Sequence, residues 1–392
     1  MNMMSPPADA LKSFELRAPT RLVVGPGTLG RLGELAREFA ASRALVVSDP
    51  GVVHAGHAAA GISALEGARV ACTLFDQFGE NPTTDHVESG AAVARDIRPD
   101  LIVAIGGGSS LDCAKGINFL HSFGGRMQDY WGRNKADSRP AMLPAIAVPT
   151  TAGTGSETQS FALITDATTH VKMACGDTRA AFRVAILDVN LTLTQPARVA
   201  ALTAIDAVSH AVESHVCRAA TPASRIFSRE AWRLLAANVP RAFSDPTDRA
   251  ARAAVQLGAA WAGLAIEHSM LGAAHACANP LTADHDVVHG QAVGLMLPHV
   301  VRYNATACPA GYAELVHDVD PNVAAPAAGR WLADWLASLL AAGGLATTLS
   351  ALRISDPDIP RLAAAAALQW TAGFNPRPVT ADDLATFYED VR

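Results

Sequence analysis

Leu101-Ile-Val-Ala-Ile105, then Gly106-Gly107-Gly108-Ser109-Ser110, then Leu111-Asp112-Cys113-Ala114-Lys115: this stretch decides the fold. Its first five residues are apolar without alternation, as expected of a strand covered on both faces. Three glycines at the strand's carboxyl end let the backbone turn sharply and bring N–H groups close to a ligand. The helix expected to follow presents its N-terminus to the same point, and together they favour an anion such as a pyrophosphate. The pattern is neither G-x-G-x-x-G nor a Walker loop, and a plain strand-to-helix turn fits it as well.

Outward from this centre the chain alternates strands and helices. Arg21–Val24 is a β-branched run closed by Gly25-Pro26-Gly27, and Thr28 to Phe39 carries leucines at helical spacing. Strand-like runs follow at Ala44–Ser48, Val70–Leu74 and Ala145–Val148, the last closed by Pro149. His86 to Asp96 reads as a helix with Thr83 or Thr84 as its N-cap. This rhythm implies βαβ units and a mostly parallel sheet flanked by helices. A second hydroxyl- and glycine-rich loop, Pro149-Thr150-Thr151-Ala152-Gly153-Thr154-Gly155-Ser156-Glu157, also follows an apolar strand. Ligands of open α/β sheets bind at that carboxyl edge. Asp49 ends the strand Ala44–Ser48, where an acidic residue can accept from adenosine ribose hydroxyls and repel a 2′-phosphate. It equally suits a turn or N-cap before Pro50-Gly51.

Near Gln195-Pro196 the texture changes to alanine- and leucine-rich segments with helical period, among them Ser224–Leu235, Arg252–Ile266, Val293–Tyr303 and Pro326–Ala341. Gly343-Gly344 is a stop signal for the last of these, and Thr380 to Asp383 reads as a capping start. The organisation expected is an α/β domain over residues 1–195, of which 1–12 form a loose tail, and an all-helical domain over 196–392. The bulk numbers agree with a large core: 50% of residues are apolar and 17% charged. The formal charge of −6 comes with no basic stripe, which argues against nucleic acid as a partner. The six cysteines are scattered with no C-x-x-C pair, and they read as free thiols of a reducing compartment. Met1 to Lys12 lacks the pattern of a secretory signal, and no run reaches the roughly 18 apolar residues of a membrane span. A cytoplasmic protein with no membrane partner is the expectation.

One further constellation carries chemistry. Asp206 and His210 stand four apart in a helical segment and therefore share a face. His275 and His289 lie further on, with Asn279-Pro280 between them. Three imidazoles and one carboxylate suit Fe(II), Zn(II) or a similar divalent ion. Among 13 histidines, an i,i+4 Asp/His pair is also a common surface pair.

Taken together these motifs resemble the iron-containing (group III) alcohol dehydrogenase family, from Arg21-Leu-Val-Val-Gly-Pro-Gly27 to Asn375-Pro-Arg-Pro378. Gly106, Gly107, Gly108, Ser109, Asp112 and Lys115 fall in a segment that looks like the family's pyrophosphate loop. Thr150, Thr151 and Thr154 fall in one like its nicotinamide-side loop. Ile205 to Glu213, Leu271 to His275 and Val288-His289-Gly290 match its metal segments. The resemblance implies a dehydroquinate-synthase-like architecture with the active site between a dinucleotide domain and a metal domain. It implies Asp206, His210, His275 and His289 as ligands of iron or another divalent metal, NAD(H) through Asp49, and Lys172 near the cleft. It further implies hydride transfer to or from a small alcohol or aldehyde, the metal acting as a Lewis acid, in a homodimer formed through an N-terminal strand such as Arg21–Val24. Dehydroquinate-synthase-like, glycerol-dehydrogenase-like and maleylacetate-reductase-like enzymes are the neighbouring alternatives; a weakly catalytic NAD- or metal-binding regulator is the non-enzymatic one.

The sequence departs from the family at one place. Many members carry a second histidine four residues after the one His275 matches, and here that position is Asn279. Asparagine donates and accepts hydrogen bonds but does not titrate near neutral pH. The proton route would then run through water, a ribose hydroxyl or His285, although His285 between Asp284 and Asp286 also reads as a solvated loop residue. Phe161 and Trp261 read as core, with a place in the cleft as the alternative.

Overall fold

Nine strands were located in a computed structural model that describes residues 14–136, 141–354 and 358–392. They are β1 (Arg21–Val24), β2 (Arg43–Val47), β3 (Ala71–Phe75), β4 (Leu101–Gly106), β5 (Gly132–Arg133), β6 (Ala145–Pro149), β7 (Phe161–Thr165), β8 (Lys172–Gly176) and β9 (Val184–Leu187). Six of them form one sheet in the order β1-β9-β6-β4-β2-β3, and every pairing in it is parallel. The unbroken apolar runs have the expected cause. Along β2 and β4, Leu45, Val47, Ile102 and Ala104 pack into one core, while Ala44, Val46, Leu101, Val103 and Ile105 pack into the core on the opposite face. Both faces are dry along Ala44–Val47 and Leu101–Ile105, and no position in those runs is polar. The expected tail over residues 1–12 lies outside the described residues.

After β9 the described chain runs as helices, from Ala197–Val216 to Ala381–Glu389. Their apolar faces meet in a third core around Trp232, Tyr312 and Tyr388. Thr83 caps the helix Thr84–Ile97 in a capping box with His86, and Thr380 caps Ala381–Glu389 with Asp383. The expected helix over Thr28–Phe39 is instead a tight turn, Thr28–Arg31, followed by Leu32–Glu38. The carboxylate of Asp188 accepts from the N–H groups of Gly27 and Leu29, and that anchor fixes the first turn against the sheet.

A second, three-stranded sheet in the order β5-β8-β7 has no counterpart in the pattern reading. Its strands are short, and the turn between β7 and β8 depends on one side chain. The Asp166 carboxylate accepts from the N–H groups of Thr168 and Thr169, and His170 takes a left-handed φ of 59°.

The sheet's carboxyl edge is fastened to the helices along one line. The chain from Pro149 to Ser160 lies on the helix Arg249–Glu267. Gln256 donates to the Pro149 carbonyl, the Thr158 hydroxyl to the Ala260 carbonyl, and the Ser160 N–H and hydroxyl to the Glu267 carboxylate. The two backbones touch at Gly155, whose φ is +63°, and Gly263: a Cβ on Gly155 would sit 2.6 Å from the Gly263 Cα. Conversely, a methyl on Gly263 would overlap the Gly155 carbonyl and the Thr158 hydroxyl. Because backbone cannot swing aside, Gly263→Ala is expected to lower stability by about 1–3 kcal/mol. Thermal unfolding of the variant checks this.

Candidate active site

The helix Ala197–Val216 is buried on nearly all sides, and Asp206, His210 and Glu213 project from one stripe of it. His275 sits in the first turn of the helix Ala273–His285, and His289 begins the helix His289–Asn304. Gly290 lets that last helix close in, since a Cβ there would overlap the Leu202 carbonyl. The result is convergence. Asp206 Oδ1 lies 3.4 Å from His210 Nε2, 3.7 Å from His275 Nε2 and 3.8 Å from His289 Nε2. The ligand atoms of Asp206, His210 and His275 all fall within 4.8 Å of one another. His289 is the least enclosed, its side chain 29% exposed.

Asp206 Oδ1 and His275 Nε2 are buried and find no hydrogen-bond partner among the described residues. At 3.7 Å they are too far apart to bond each other. Two such orphans facing each other in a dry pit are costly unless a further group joins them. A divalent cation fits: one carboxylate and three imidazoles are a donor set that Fe(II) and Zn(II) share. Protonation follows the same geometry. Burial alone would raise the Asp206 carboxyl, but the imidazoles of His210, His289 and His275 hold it below the ordinary carboxylate range. Burial would lower His275, yet the Asp206 and Glu213 carboxylates raise it to about 9. Burial pushes His210 and His289 down, against the opposing pull of Asp206.

Glu213 belongs to this cluster and pattern reading gave it no role. Its Oε2 accepts from His275 Nδ1 at 2.5 Å and its Oε1 from the Ala274 N–H at 2.8 Å. The available signal was its spacing: three residues after His210, on the stripe of the two ligand positions.

The two glycine loops stand side by side next to the pit. A Cβ on Gly107 would meet Thr151 Cγ2 at 3.2 Å, and one on Gly108 would meet Thr154 Cγ2 at 2.7 Å. Gly106, at φ +156°, leaves room for Ser110 and Asp49. The helix Gly108–Phe123 starts there with no side-chain cap. Ser109 accepts from the Asn81 N–H, and the Thr150 N–H donates to the Gly106 carbonyl. Asp49 takes the N-cap placement. One oxygen caps the helix Pro50–His54 through the Val52 N–H, and the other accepts from the Ser110 hydroxyl beside the glycines.

Asp112 and Lys115 are buried beneath the loops. Lys115 Nζ donates to the Ser156 carbonyl at 2.8 Å, the Ser156 hydroxyl at 2.8 Å and the Phe161 carbonyl at 2.7 Å. All three of its protons are thereby engaged. Asp112 accepts from the Ser156 hydroxyl at 2.6 Å. Burial raises the Asp112 carboxyl and lowers the Lys115 ammonium, each opposed by the other's charge. The pair holds the second loop to the helix Gly108–Phe123.

Lys172 Nζ donates to the Asn81 side chain at 3.2 Å; burial lowers its pKa, with Asp112 and Asp206 opposing. Asn279 stands one turn beyond His275 and donates to Gln369 Oε1 at 2.9 Å. Next to Gln369, Trp370 is 48% exposed, and its ring lies 5.9 Å from the Phe161 ring and 6.1 Å from the Phe374 ring. Phe161 therefore faces this aromatic group and not the core, whereas Trp261 packs on Phe227 against the helical core. His285 ends its helix with Nε2 buried and unpartnered among the described residues, so it is no solvated loop residue.

Sequence profiles described as iron-containing alcohol dehydrogenase and as the C-terminal part of the Fe-containing alcohol dehydrogenase family match residues 19–189 and 200–391. The chain is 31% identical over 371 residues to an NAD-dependent methanol dehydrogenase of Bacillus methanolicus, covering 94% of this chain and 97% of that one. A crystal structure of a 1,3-propanediol oxidoreductase superposes with a TM-score of 0.93 at 30% identity, over 97% of this chain and all of that one. A sulfoacetaldehyde reductase from Bifidobacterium kashiwanohense in complex with NAD+ superposes at 0.87 and 28% identity, over 97% and 99%.

Glu157, beside these loops, offers a test of the local electrostatics. Burial raises its carboxyl from 4.5 to about 7. The folded state thus holds this proton more tightly than the unfolded one. Stability is expected to fall as pH rises from about 4.5 to 7, by up to roughly 3 kcal/mol from this group. Glu157→Gln should flatten that part of the curve and be relatively more stable at pH 8 than at pH 5. Denaturant unfolding of both proteins across the range measures it.

Proposed function

As this chain belongs to the iron-containing alcohol dehydrogenase family and is an NAD-dependent oxidoreductase of that kind, we propose that it interconverts small primary alcohols and their aldehydes. The observation that carries the reading is the pit of Asp206, His210, His275 and His289 beside two loops built for a dinucleotide. Relatives named for methanol and 1,3-propanediol support a small alcohol as substrate.

Asp206, His210, His275 and His289 hold the metal, which when bound supplies Lewis acidity toward the substrate oxygen. NAD(H), when bound, supplies the hydride chemistry. Everything else is orientation and exclusion of water. The N-terminus of the helix Gly108–Phe123, with Gly106, Gly107, Gly108 and Ser109, receives the pyrophosphate. Thr150, Thr151 and Thr154 flank the nicotinamide side, and Asp49 faces the adenosine ribose. Asp112 and Lys115 act from beneath by fixing the loop through Ser156. Lys172 stands between the loops and the metal pit, where a cation favours bound anionic groups. Phe161, Trp370 and Phe374 form an apolar wall for the carbon end of the substrate. Asn279, its amide held by Gln369, offers a fixed hydrogen bond and no titrating group. The alcohol proton therefore leaves by another route, through water or a ribose hydroxyl.

We divide the chain at 195/196, just before the helix that carries Asp206, with the site between the two parts. All six cysteines are unpaired, which supports a cytoplasmic setting; no described helix is long and apolar enough to cross a membrane. β1 is the outer strand of the large sheet and its Val24 is 50% exposed, which supports pairing with a second copy along that edge.

Two measurements test this reading. Protein stripped of metal and reloaded with Fe(II) or Zn(II) without oxygen should form NADH from primary alcohols or diols. Activity should fall about a hundredfold or more without metal or in His275→Ala. No turnover with either metal, while NAD still binds, would sink the proposal. Asp49→Asn keeps the cap and removes the charge that repels a 2′-phosphate. It should raise the NADP-to-NAD preference by roughly tenfold, equivalent to about 1.4 kcal/mol. An unchanged ratio of kcat/KM values would remove Asp49 from the ribose site.

A further inference from the structure

We infer that Glu213 is the positioning residue of the metal centre: it selects the ring form of His275 that ligates through Nε2, and it supplies the second negative charge that makes the buried assembly neutral. The inference rests on the reading of Asp206, His210, His275 and His289 as a metal site.

The geometry is specific about what must stand at 213. Two groups point at this side chain, and both are donors. His275 Nδ1 lies 2.5 Å from Oε2, and the Ala274 N–H donates to Oε1 at 2.8 Å. A carboxylate presents two acceptors to them; a carboxamide presents one acceptor and one donor. With Nδ1–H committed to Glu213, the nitrogen left for a cation is Nε2, the atom that is buried, unpartnered and turned toward Asp206. Were Nδ1 unprotonated, Nε2 would carry the hydrogen and could not bind a cation.

The surroundings allow no other orientation. Glu213 is 4% exposed. A Cβ on Gly272 would lie 2.8 Å from its Oε1, so the backbone passes directly over the carboxylate. Asn375 holds that backbone in turn, its Oδ1 accepting from the Ala273 N–H at 3.3 Å. The ring of His275 is thus fixed from the rear, through a contact made only when the helices Ala197–Val216 and Ala273–His285 are docked.

Charge counting gives the second half of the role. A divalent ion with three neutral imidazoles and Asp206 alone leaves a net positive charge in a dry pit. Buried charge is costly unless compensated nearby. Glu213, in contact with a ligand, brings the sum to zero. Carboxylates behind ligating histidines typically change metal affinity by about 10- to 100-fold.

The test is metal affinity, with activity kept out of the readout. Apo wild type and Glu213→Gln are titrated with Zn(II) and Co(II) against a competing chelator, with the Co(II) visible spectrum followed. NAD affinity and apo-protein melting are measured in parallel. The expected result is a dissociation constant about 10- to 100-fold higher in Glu213→Gln with an altered Co(II) spectrum, while NAD affinity and melting stay near wild type. Affinity within about twofold of wild type overturns the inference, as does a joint loss of metal binding, NAD binding and melting temperature, which marks a merely structural residue. If Glu213→Gln does not fold, Glu213→Asp replaces it. That variant keeps the charge, loses reach, and should bind metal about tenfold more weakly; wild-type affinity there overturns the inference too. Failure of the metal site itself is separate: wild type would then bind no stoichiometric metal, or would bind it undiminished after His210→Ala, and the role assigned to Glu213 falls with it.

Discussion

Everything at the centre of this molecule depends on bringing one carboxylate and three imidazoles to a single dry point. Asp206 Oδ1 has three ring nitrogens within 3.8 Å and no hydrogen bond of its own among the described residues. Such an arrangement does not stabilise a fold. It persists because the three helices that carry it are large and apolar, and their packing fixes the geometry whether or not the ligand atoms gain from it. Functional centres are commonly held this way, with local cost offset by surrounding structure.

Close backbone approach is the means. Gly290 lets the helix of His289 come down onto Leu202, Gly272 lets the chain before His275 cross Glu213, and Gly155 meets Gly263 where the second glycine loop lies on the helices. Each is a place where a single methyl would force elements apart. The cleft is therefore bounded by contacts in which backbone touches backbone or a buried carboxylate. Side-chain rotamer changes cannot relax contacts of that kind, which suits a site whose donors must stay in place when the cofactor comes and goes.

Two buried charged groups serve the loops rather than the chemistry. Lys115 spends its three protons on Ser156 and Phe161, and Asp112 takes the Ser156 hydroxyl. Seen as sequence, both belong to a helix that begins at a glycine-rich turn, and contact with a nucleotide is the natural reading of a lysine there. In three dimensions they lie one layer lower and join the first loop to the second. The pattern in the chain is the same for both roles, because a motif records which residues travel together and not which of them reaches the surface.

Much of the architecture was legible in the chain itself. The apolar runs at 44–47, 101–105 and 145–148 have no polar position because both faces of the sheet are covered there. That alone specifies parallel strands between helices, and Pro196 marks the change to helix. The i,i+4 spacing of Asp206 and His210 gave a shared face, since helical geometry is local. The pairing of that face with His275 and His289 was not local, and only the resemblance to a family suggested it. Glu213, Gln369 and the Phe161–Trp370 wall owe their places to contacts across 62, 90 and 209 residues of chain. Hydrophobic period carries no information about such pairs. Sequence fixes what each segment can be; which segments meet depends on helix packing and on a few glycines, and that was decided only when the chain closed on itself.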